Sequence, residues 1–235
     1  MILHIPHASK NTQNFKINNR DREILRMTDH YTDELYQNSS ATKVTFQLSR
    51  LICDVERFAD DEEESMSKFG MGVCYTKDTE GKTLREITDE EKKYILKNYY
   101  YPHHKALELA VDDELQKKGT ALIIDCHSFP EESYHFNSDY GKKRPDICIG
   151  TDSFHTPKEL IQKVSHYFIS KGYHTTINNP YSGSMVPLKH YKKEKNVHSI
   201  MIEINRKLYM DKEANKSENF TPLQDEIEEL FSSLV

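Results

Sequence analysis

Histidine and acidic residues lie in or directly after several short apolar runs, and these residue types could hold and use a metal ion. The stretch ALIIDCHSF (121–129) contains His127, the stretch ILHIPH ends with His7, and the stretch SIMIEI contains Glu203. Two imidazoles and one carboxylate form the usual ligand set of a catalytic zinc, which keeps a fourth position open for water. A free carboxylate nearby can take a proton from that water and return it to the leaving amine. The sequence therefore predicts metal-assisted hydrolysis, with His7 and His127 as ligands and Glu203 as general base.

The third ligand has three candidates. In TDHYTDELYQN (28–38), which we predict to be a short helix capped by Thr28, Asp29 and Asp33 are four residues apart and would share one helical face. Glu56 follows another apolar run and is a further candidate. The sequence leaves the choice between these three carboxylates open.

Two alternatives compete with a metal site. A thiol beside an imidazole suggests a cysteine amidase, but Cys126 and His127 directly follow the predicted strand 121–125, and adjacent residues of a strand point their side chains to opposite faces. We therefore expect Cys126 to be a small core residue. Glu203 lies among apolar residues, where a carboxylate is costly unless it is paired. A structural ion pair with Arg206 or Arg57 is the alternative to catalysis.

Strand and helix signals alternate along the whole chain. The predicted strands are 2–6, two runs within 43–58, 121–125, 146–150, 173–178 and 199–204. Predicted helices follow Thr88 (with a bend near Pro102), Thr156 and Thr221, each of which opens a capping-type sequence. Strands separated by helices favour an α/β, single-domain three-layer sandwich over residues 1–235, with a mixed, mainly parallel sheet flanked by helices. In such sheets ligands bind at the carboxyl ends of the strands.

Composition excludes several classes of function. The 235-residue chain has a net charge of −6 and no basic stripe, so nucleic acid is not an expected partner. No apolar run is long enough for a membrane helix, so we expect a cytoplasmic protein without a membrane partner. The four cysteines form no C-x-x-C pair, which argues against a zinc ribbon or a disulfide framework.

Nine blocks in this order resemble the N-formylglutamate amidohydrolase family across residues 2–211. These blocks are HIPHAS, TDHYTDELY, SRLICDVERF, GMGVCY, YYYPHHKAL, IIDCHSFP, DICIGT, NPYSGSMVP and VHSIMIEINRKLYMD. The resemblance implies a phosphorylase/hydrolase-like sandwich similar to zinc carboxypeptidases and aspartoacylase, with one zinc ion per chain. It also implies hydrolysis of N-formyl-L-glutamate to formate and glutamate, a step of histidine degradation. The partner would be a small N-acyl amino acid, and the protein a monomer or small homo-oligomer.

The matching blocks carry over specific roles. The early histidine block falls on His7, the D-x-H-S block on His127, and the E-I-N-R block on Glu203, Asn205 and Arg206. In the D-x-H-S block, Asp125 is expected to orient a metal ligand. A substrate with two carboxylates needs cationic partners, because arginine binds carboxylates through two parallel hydrogen bonds. The candidate substrate-binding residues are Arg57, Arg50, Arg206, Asn205, His104 and Tyr181.

One departure from the family pattern keeps the substrate open. Many members carry Asn-Arg where this chain has Glu56-Arg57. The alternative function is a zinc hydrolase of the same fold that acts on a different N-acyl amino acid or a small peptide. A non-catalytic binding protein would predict broken ligands, whereas His7, His127 and Glu203 are all present.

Overall fold

The computed structural model describes residues 1–137 and 139–234 and contains one six-stranded sheet. The strands are β1 (Ile2–Ile5), β2 (Thr42–Thr45), β3 (Ala121–Phe129), β4 (Ile147–Gly150), β5 (Thr175–Ile177) and β6 (Val197–Asn205). Their spatial order is β2-β1-β3-β6-β4-β5. All neighbours pair in parallel except β4 and β6, which are antiparallel. The mixed, mainly parallel sheet predicted from the sequence is confirmed.

Helices cover both faces of this sheet. They are α1 (Arg20–Met27), α2 (Thr32–Leu35), α3 (Asp89–Ile95), α4 (Tyr101–Lys118), α5 (Lys158–Ser170) and α6 (Phe220–Leu234). A π-helical turn (Leu96–Tyr100) joins α3 to α4, and 3-10 turns occupy Ser67–Phe69 and Arg206–Leu208. No helix in the described ranges is long and apolar enough to cross a membrane.

Alternating side chains build the two halves of the core. In β3, Ile123 packs with Leu107 and Val111 of α4, whereas Ile124 packs in the cluster that contains residues of α5 and α6. Cys126 belongs to the second cluster and is wholly buried, so its predicted packing role agrees with the structure. Since successive strand residues point to opposite faces, this alternation makes the three-layer sandwich.

The central pair, β3 and β6, extends further than the apolar runs indicate. The two strands pair in register from Ala121 with Val197 to Phe129 with Asn205. His127 and Glu203 therefore lie opposite each other inside the strands, and the prediction that His127 follows its strand is wrong. Most polar side chains of this extension, namely Asp125, His127, Ser128 and Asn205, have buried hydrogen-bond partners, which offsets the cost of burying them.

The structure does not contain the single helix predicted over residues 28–38. Thr28 caps the carboxyl end of α1, and the next helix, α2, starts only at Thr32. Tyr31 has a φ of 63°, a left-handed conformation that separates the two helices. The predicted cap at Thr88 is confirmed, because its hydroxyl accepts a hydrogen bond from Glu91 N.

Candidate active site

A cavity of about 790 Å³ opens at the carboxyl ends of β1, β3 and β6. Most of the predicted site residues line it, namely His7, Asp29, Arg50, Glu56, Arg57, His104, His127, Tyr181, Glu203 and Arg206. Parallel neighbouring strands deliver their carboxyl ends to one edge of a sheet, which is why residues so far apart in sequence meet there.

Each of the two predicted histidine ligands faces a carboxylate with its Nε2 atom. His7 Nε2 lies 2.8 Å from Asp54 Oδ1, and His127 Nε2 lies 3.2 Å from Asp125 Oδ1. Carboxylates only accept, so each Nε2 donates, and Nδ1 is the nitrogen left to bind a metal ion once it is unprotonated. His7 Nδ1 is buried and has no hydrogen-bond partner among the described residues. Carboxylates that fix the outer nitrogen of a histidine in this way are typical of metal ligands.

Asp29 is one carboxylate that lies beside both histidines. Its Oδ2 atom lies 3.2 Å from His127 Nδ1 and 3.7 Å from His7 Nδ1. Its other oxygen accepts a hydrogen bond from Arg206 Nη2 at 3.0 Å. Burial would raise the pKa of Asp29, but the neighbouring imidazoles of His127 and His7 and the Arg206 guanidinium hold it well below its ordinary value. The ionised carboxylate thus lies between the two Nδ1 atoms.

Glu56 offers a second arrangement. One of its oxygens lies 3.7 Å from His7 Nδ1, but its closest contact to the other ring, at 3.2 Å, is to His127 Nε2. That nitrogen already faces Asp125. His7, Glu56 and His127 still place one donor atom each within 4.8 Å of one another, and Glu56 is partly exposed in the cavity. Asp29 is the carboxylate that faces both Nδ1 atoms.

Two predicted residues lie outside the site. Asp33 is exposed on α2, because the break at Tyr31 removes it from the face of Asp29, so it does not join the histidines. Asn205 is wholly buried and does not line the cavity. Its amide donates to Pro145 O and accepts from Lys207 N, which makes it part of the turn after β6. The structure therefore does not bring Asp33, predicted as a metal ligand, or Asn205, predicted as a substrate contact, to the cavity.

Glu203 is the one predicted catalytic carboxylate that the structure leaves without a partner. It lines the cavity with 7% of its surface exposed, and its Oε2 atom has no hydrogen-bond partner among the described residues. Arg206 and Arg57 face Asp29 and Asp54 instead, so the alternative of an ion pair is not observed. Burial raises the pKa of Glu203 to about 7.

The three arginines differ in how many of their donors already form hydrogen bonds. Arg50 donates to Asp54 Oδ2 at 2.8 Å, and Arg206 donates to Asp29, Ser128 and the Arg26 carbonyl. Arg57 lies 3.7 Å from Asp54, and its Nε has no hydrogen-bond partner within the described chain. Its side chain is 26% exposed at the cavity. Arg57 is therefore the arginine with donors available for a ligand.

His104 and Tyr181 both line the cavity wall. His104 Nε2 has no partner among the described atoms, and burial lowers the pKa of this imidazole to about 4, so it is neutral. The Tyr181 ring packs on Phe129, with 5.6 Å between ring centroids, and lies 5.5 Å from the Arg144 guanidinium. The Tyr181 ring thus contributes packing.

Asp54, His4 and His103 contact the predicted site residues, although sequence patterns do not point to them. Asp54 precedes Glu56 in the same block, and it accepts from His7, Arg50 and Tyr75. His4 and His103 form a buried contact although they are 99 residues apart. The spacing of His4 and His7 around Pro6 was the only local signal, because the other contacts are made by folding.

The fold and the cavity define an α/β enzyme with an acid–base site at one edge of its sheet. A comparison with protein families agrees: the model of the N-formylglutamate amidohydrolase family matches residues 1–210. The chain belongs to this family, and it is therefore a hydrolase of the class that cleaves linear amide bonds.

Individual relatives are similar over nearly their full lengths. An N-formylglutamate deformylase of Pseudomonas putida is 22% identical over 236 residues, which covers 96% of this chain and 85% of that protein. The crystal structure of an N-formylglutamate amidohydrolase from Ralstonia eutropha superimposes with a TM-score of 0.86 at 20% identity, covering 99% of this chain and 91% of the other. A solved structure from Agrobacterium tumefaciens gives 0.63 at 19% identity, covering 99% and 90%. These structures share the fold.

Proposed function

We propose that this protein hydrolyses N-formyl-L-glutamate to formate and glutamate, with one zinc ion held by His7, His127 and Asp29. The observation that carries this proposal is the pair of imidazoles whose Nδ1 atoms face one buried carboxylate, with their Nε2 atoms fixed by two others. Family membership and the deformylase relative support the substrate. The ion would polarise the formyl carbonyl and acidify water.

Glu203 acts as the general base. Its side chain lines the cavity, one of its oxygens has no hydrogen-bond partner among the described residues, and it pairs across the sheet with His127. It removes a proton from the attacking water as the oxygen bonds to the formyl carbon. It then delivers this proton to the nitrogen as the C–N bond breaks, which releases formate and the free amine. A carboxylate held by an arginine could not do this as readily, because the pair would stabilise the ionised form.

Arg57 binds a substrate carboxylate. Its free donors and partial exposure support this role, whereas Arg50 and Arg206 hold Asp54 and Asp29 in place. A guanidinium fork on one carboxylate orients the substrate as well as attracting it. His104, neutral and unpartnered at Nε2, supplies a further hydrogen bond to the substrate.

The size of the cavity favours a second candidate, a zinc hydrolase for a larger N-acyl amino acid or a small peptide. The volume of about 790 Å³ falls in the range of sites for drug-sized ligands, well above what formylglutamate fills. Apolar side chains such as Phe58, Leu188 and Met185 line it. The Glu56 carboxylate beside Arg57 also reduces the attraction for a second substrate carboxylate.

Formate release from N-formyl-L-glutamate, measured with metal-free and zinc-loaded protein, tests the proposal. We expect zinc-dependent release that Asp29→Asn abolishes together with zinc binding, while Glu56→Gln still binds one ion. Zinc binding that survives Asp29→Asn but is lost in Glu56→Gln would replace Asp29 by Glu56 as the ligand. Zinc-loaded wild type that ignores formylglutamate but cleaves another N-acyl amino acid would support the second candidate.

A further inference from the structure

Buried side chains outside the proposed catalytic step form a hydrogen-bonded chain that ends at a metal ligand. His103 Nε2 lies 2.9 Å from His4 Nε2, and His4 Nδ1 lies 2.7 Å from Asp125 Oδ1. The same Asp125 oxygen lies 3.2 Å from His127 Nε2. The chain thus links helix α4, strand β1 and strand β3 to the site.

Secondary structure fixes each member of this chain. His4 and Asp125 are direct partners in the pairing of β1 with β3, and both point to the face covered by α4. His103 lies in the first turn of α4, directly after the π-helical turn Leu96–Tyr100. Such turns insert one residue into a helix and are often found at functional sites. His4 is wholly buried, and His103 is 7% exposed.

The hydrogen bonds from His103 to His4 and from His4 to Asp125 all donate in the same direction. The Asp125 carboxylate can only accept, so His4 Nδ1 must donate to it. In the neutral ring His4 Nε2 then accepts, and His103 Nε2 donates. The second Asp125 oxygen accepts from Met185 N at 2.9 Å. Asp125 is therefore held from several sides, and its position determines where His127 Nε2 points.

We propose that His4 and His103 are positioning residues, which hold Asp125 against His127 Nε2 so that His127 Nδ1 faces the metal ion. This inference rests on the proposed metal site. Removing a partner that orients a ligating histidine typically weakens metal binding about 10- to 100-fold. Replacing His103 should weaken it less than replacing Asp125, because His103 acts on His127 through two further hydrogen bonds.

The same region offers a competing arrangement. His4, Glu56 and Asp125 place one donor atom each within 4.8 Å of one another, which would fit a second cation. In the neutral hydrogen-bonded chain, however, both His4 nitrogens already have partners. Neither His4 nitrogen is left to bind a second cation, so the positioning role accounts for both contacts.

The test compares His103→Leu with His103→Gln. Leucine removes the donor at similar volume, whereas the glutamine amide can still donate to His4. Leu109→Ala is the matched control, since Leu109 lines the same outer groove on α4, is 54% exposed and is not part of the chain. Zinc affinity is measured by competition with a chromophoric chelator, zinc content by mass spectrometry, and folding by thermal melting of the metal-free proteins.

We expect His103→Leu to bind zinc about 10-fold more weakly, while His103→Gln and Leu109→Ala stay within twofold of wild type. Equal affinities for all four proteins, or equal losses in the Leu and Gln variants, would overturn the positioning role without touching the proposed function. Two zinc ions per wild-type chain, with one lost in His4→Ala, would overturn it in favour of a second cation. A wild-type chain that binds no zinc would overturn both proposals.

Discussion

Replacing Glu203 with glutamine should separate the catalytic role of this carboxyl from its effect on stability. Burial raises its pKa from 4.5 to about 7, and no arginine pairs with it. A raised pKa in a carboxyl means that the folded state prefers the protonated form. Below pH 4.5 the folded and unfolded chains are both protonated there, so Glu203 is neutral in its effect; above pH 7 its charge destabilises the fold.

The size of the effect follows from this difference. At about 1.4 kcal/mol per pKa unit, a rise from 4.5 to about 7 amounts to roughly 3 kcal/mol at pH 8. Glu203→Gln carries no charge, so its free energy of unfolding relative to wild type should increase by this amount between pH 4.5 and pH 8. Any constant cost of burying the amide cancels in that difference. Formate release should fall about 10²- to 10⁴-fold, which is the usual contribution of a general base.

Urea unfolding of the metal-free proteins at pH 4.5, 6 and 8, with steady-state rates of the zinc-loaded proteins, measures both effects. Glu23→Gln is the matched control, because Glu23 is wholly buried but paired with Arg22 and with Thr79 N. It should lose stability at pH 8 and keep its activity. A Glu203→Gln variant whose stability relative to wild type does not rise between pH 4.5 and pH 8, or that retains more than a tenth of wild-type activity, would refute the reasoning.

Three further outcomes follow from the site and its surroundings. Arg57→Met should raise KM for formylglutamate about 10- to 100-fold with little change in kcat, as expected for a charged hydrogen bond of ~1.5–3 kcal/mol; unchanged steady-state kinetics would contradict the substrate role. A chelator should abolish formate release and zinc restore it, whereas a thiol alkylator should have no effect, because Cys126 is wholly buried; inactivation by the alkylator alone would contradict a metal mechanism. Burial lowers the pKa of His30 from 6.5 to about 4, so the neutral imidazole stabilises the fold above pH 6.5. The free energy of unfolding should fall by up to ~3 kcal/mol from this residue as the pH drops from 6.5 towards 4. In urea unfolding, His30→Gln should lose less stability than wild type over this pH range, and equal losses would contradict the prediction.

The sequence was sufficient to predict the sheet and the residues at the centre of the site. Apolar runs predicted β1, β3 and β6, and the parallel arrangement predicted that His7, His127 and Glu203 would meet at one edge. These predictions worked because strand identity depends on local side-chain patterns. The family blocks added the order of the elements.

Sequence patterns could not predict backbone breaks or contacts between distant residues. Asp29 and Asp33 have helical spacing, but the left-handed Tyr31 divides the segment and leaves only Asp29 in the site. Local propensity does not reveal such a break, because tertiary contacts determine it. The contact of His4 with His103 depends on how α4 packs across β1, which no pattern in either segment indicates.

The pairing of β3 with β6 has a consequence for how this enzyme could evolve. Nine consecutive register pairs fix His127 opposite Glu203, so the distance between the proposed ligand and the proposed base is set by backbone hydrogen bonds rather than by a flexible loop. A shift of one residue in either strand would turn every side chain to the other face. Insertions and deletions are therefore tolerated only in the surrounding loops, such as 58–71 and 179–191, which line the cavity. New substrates could be acquired there while the reaction itself is inherited unchanged.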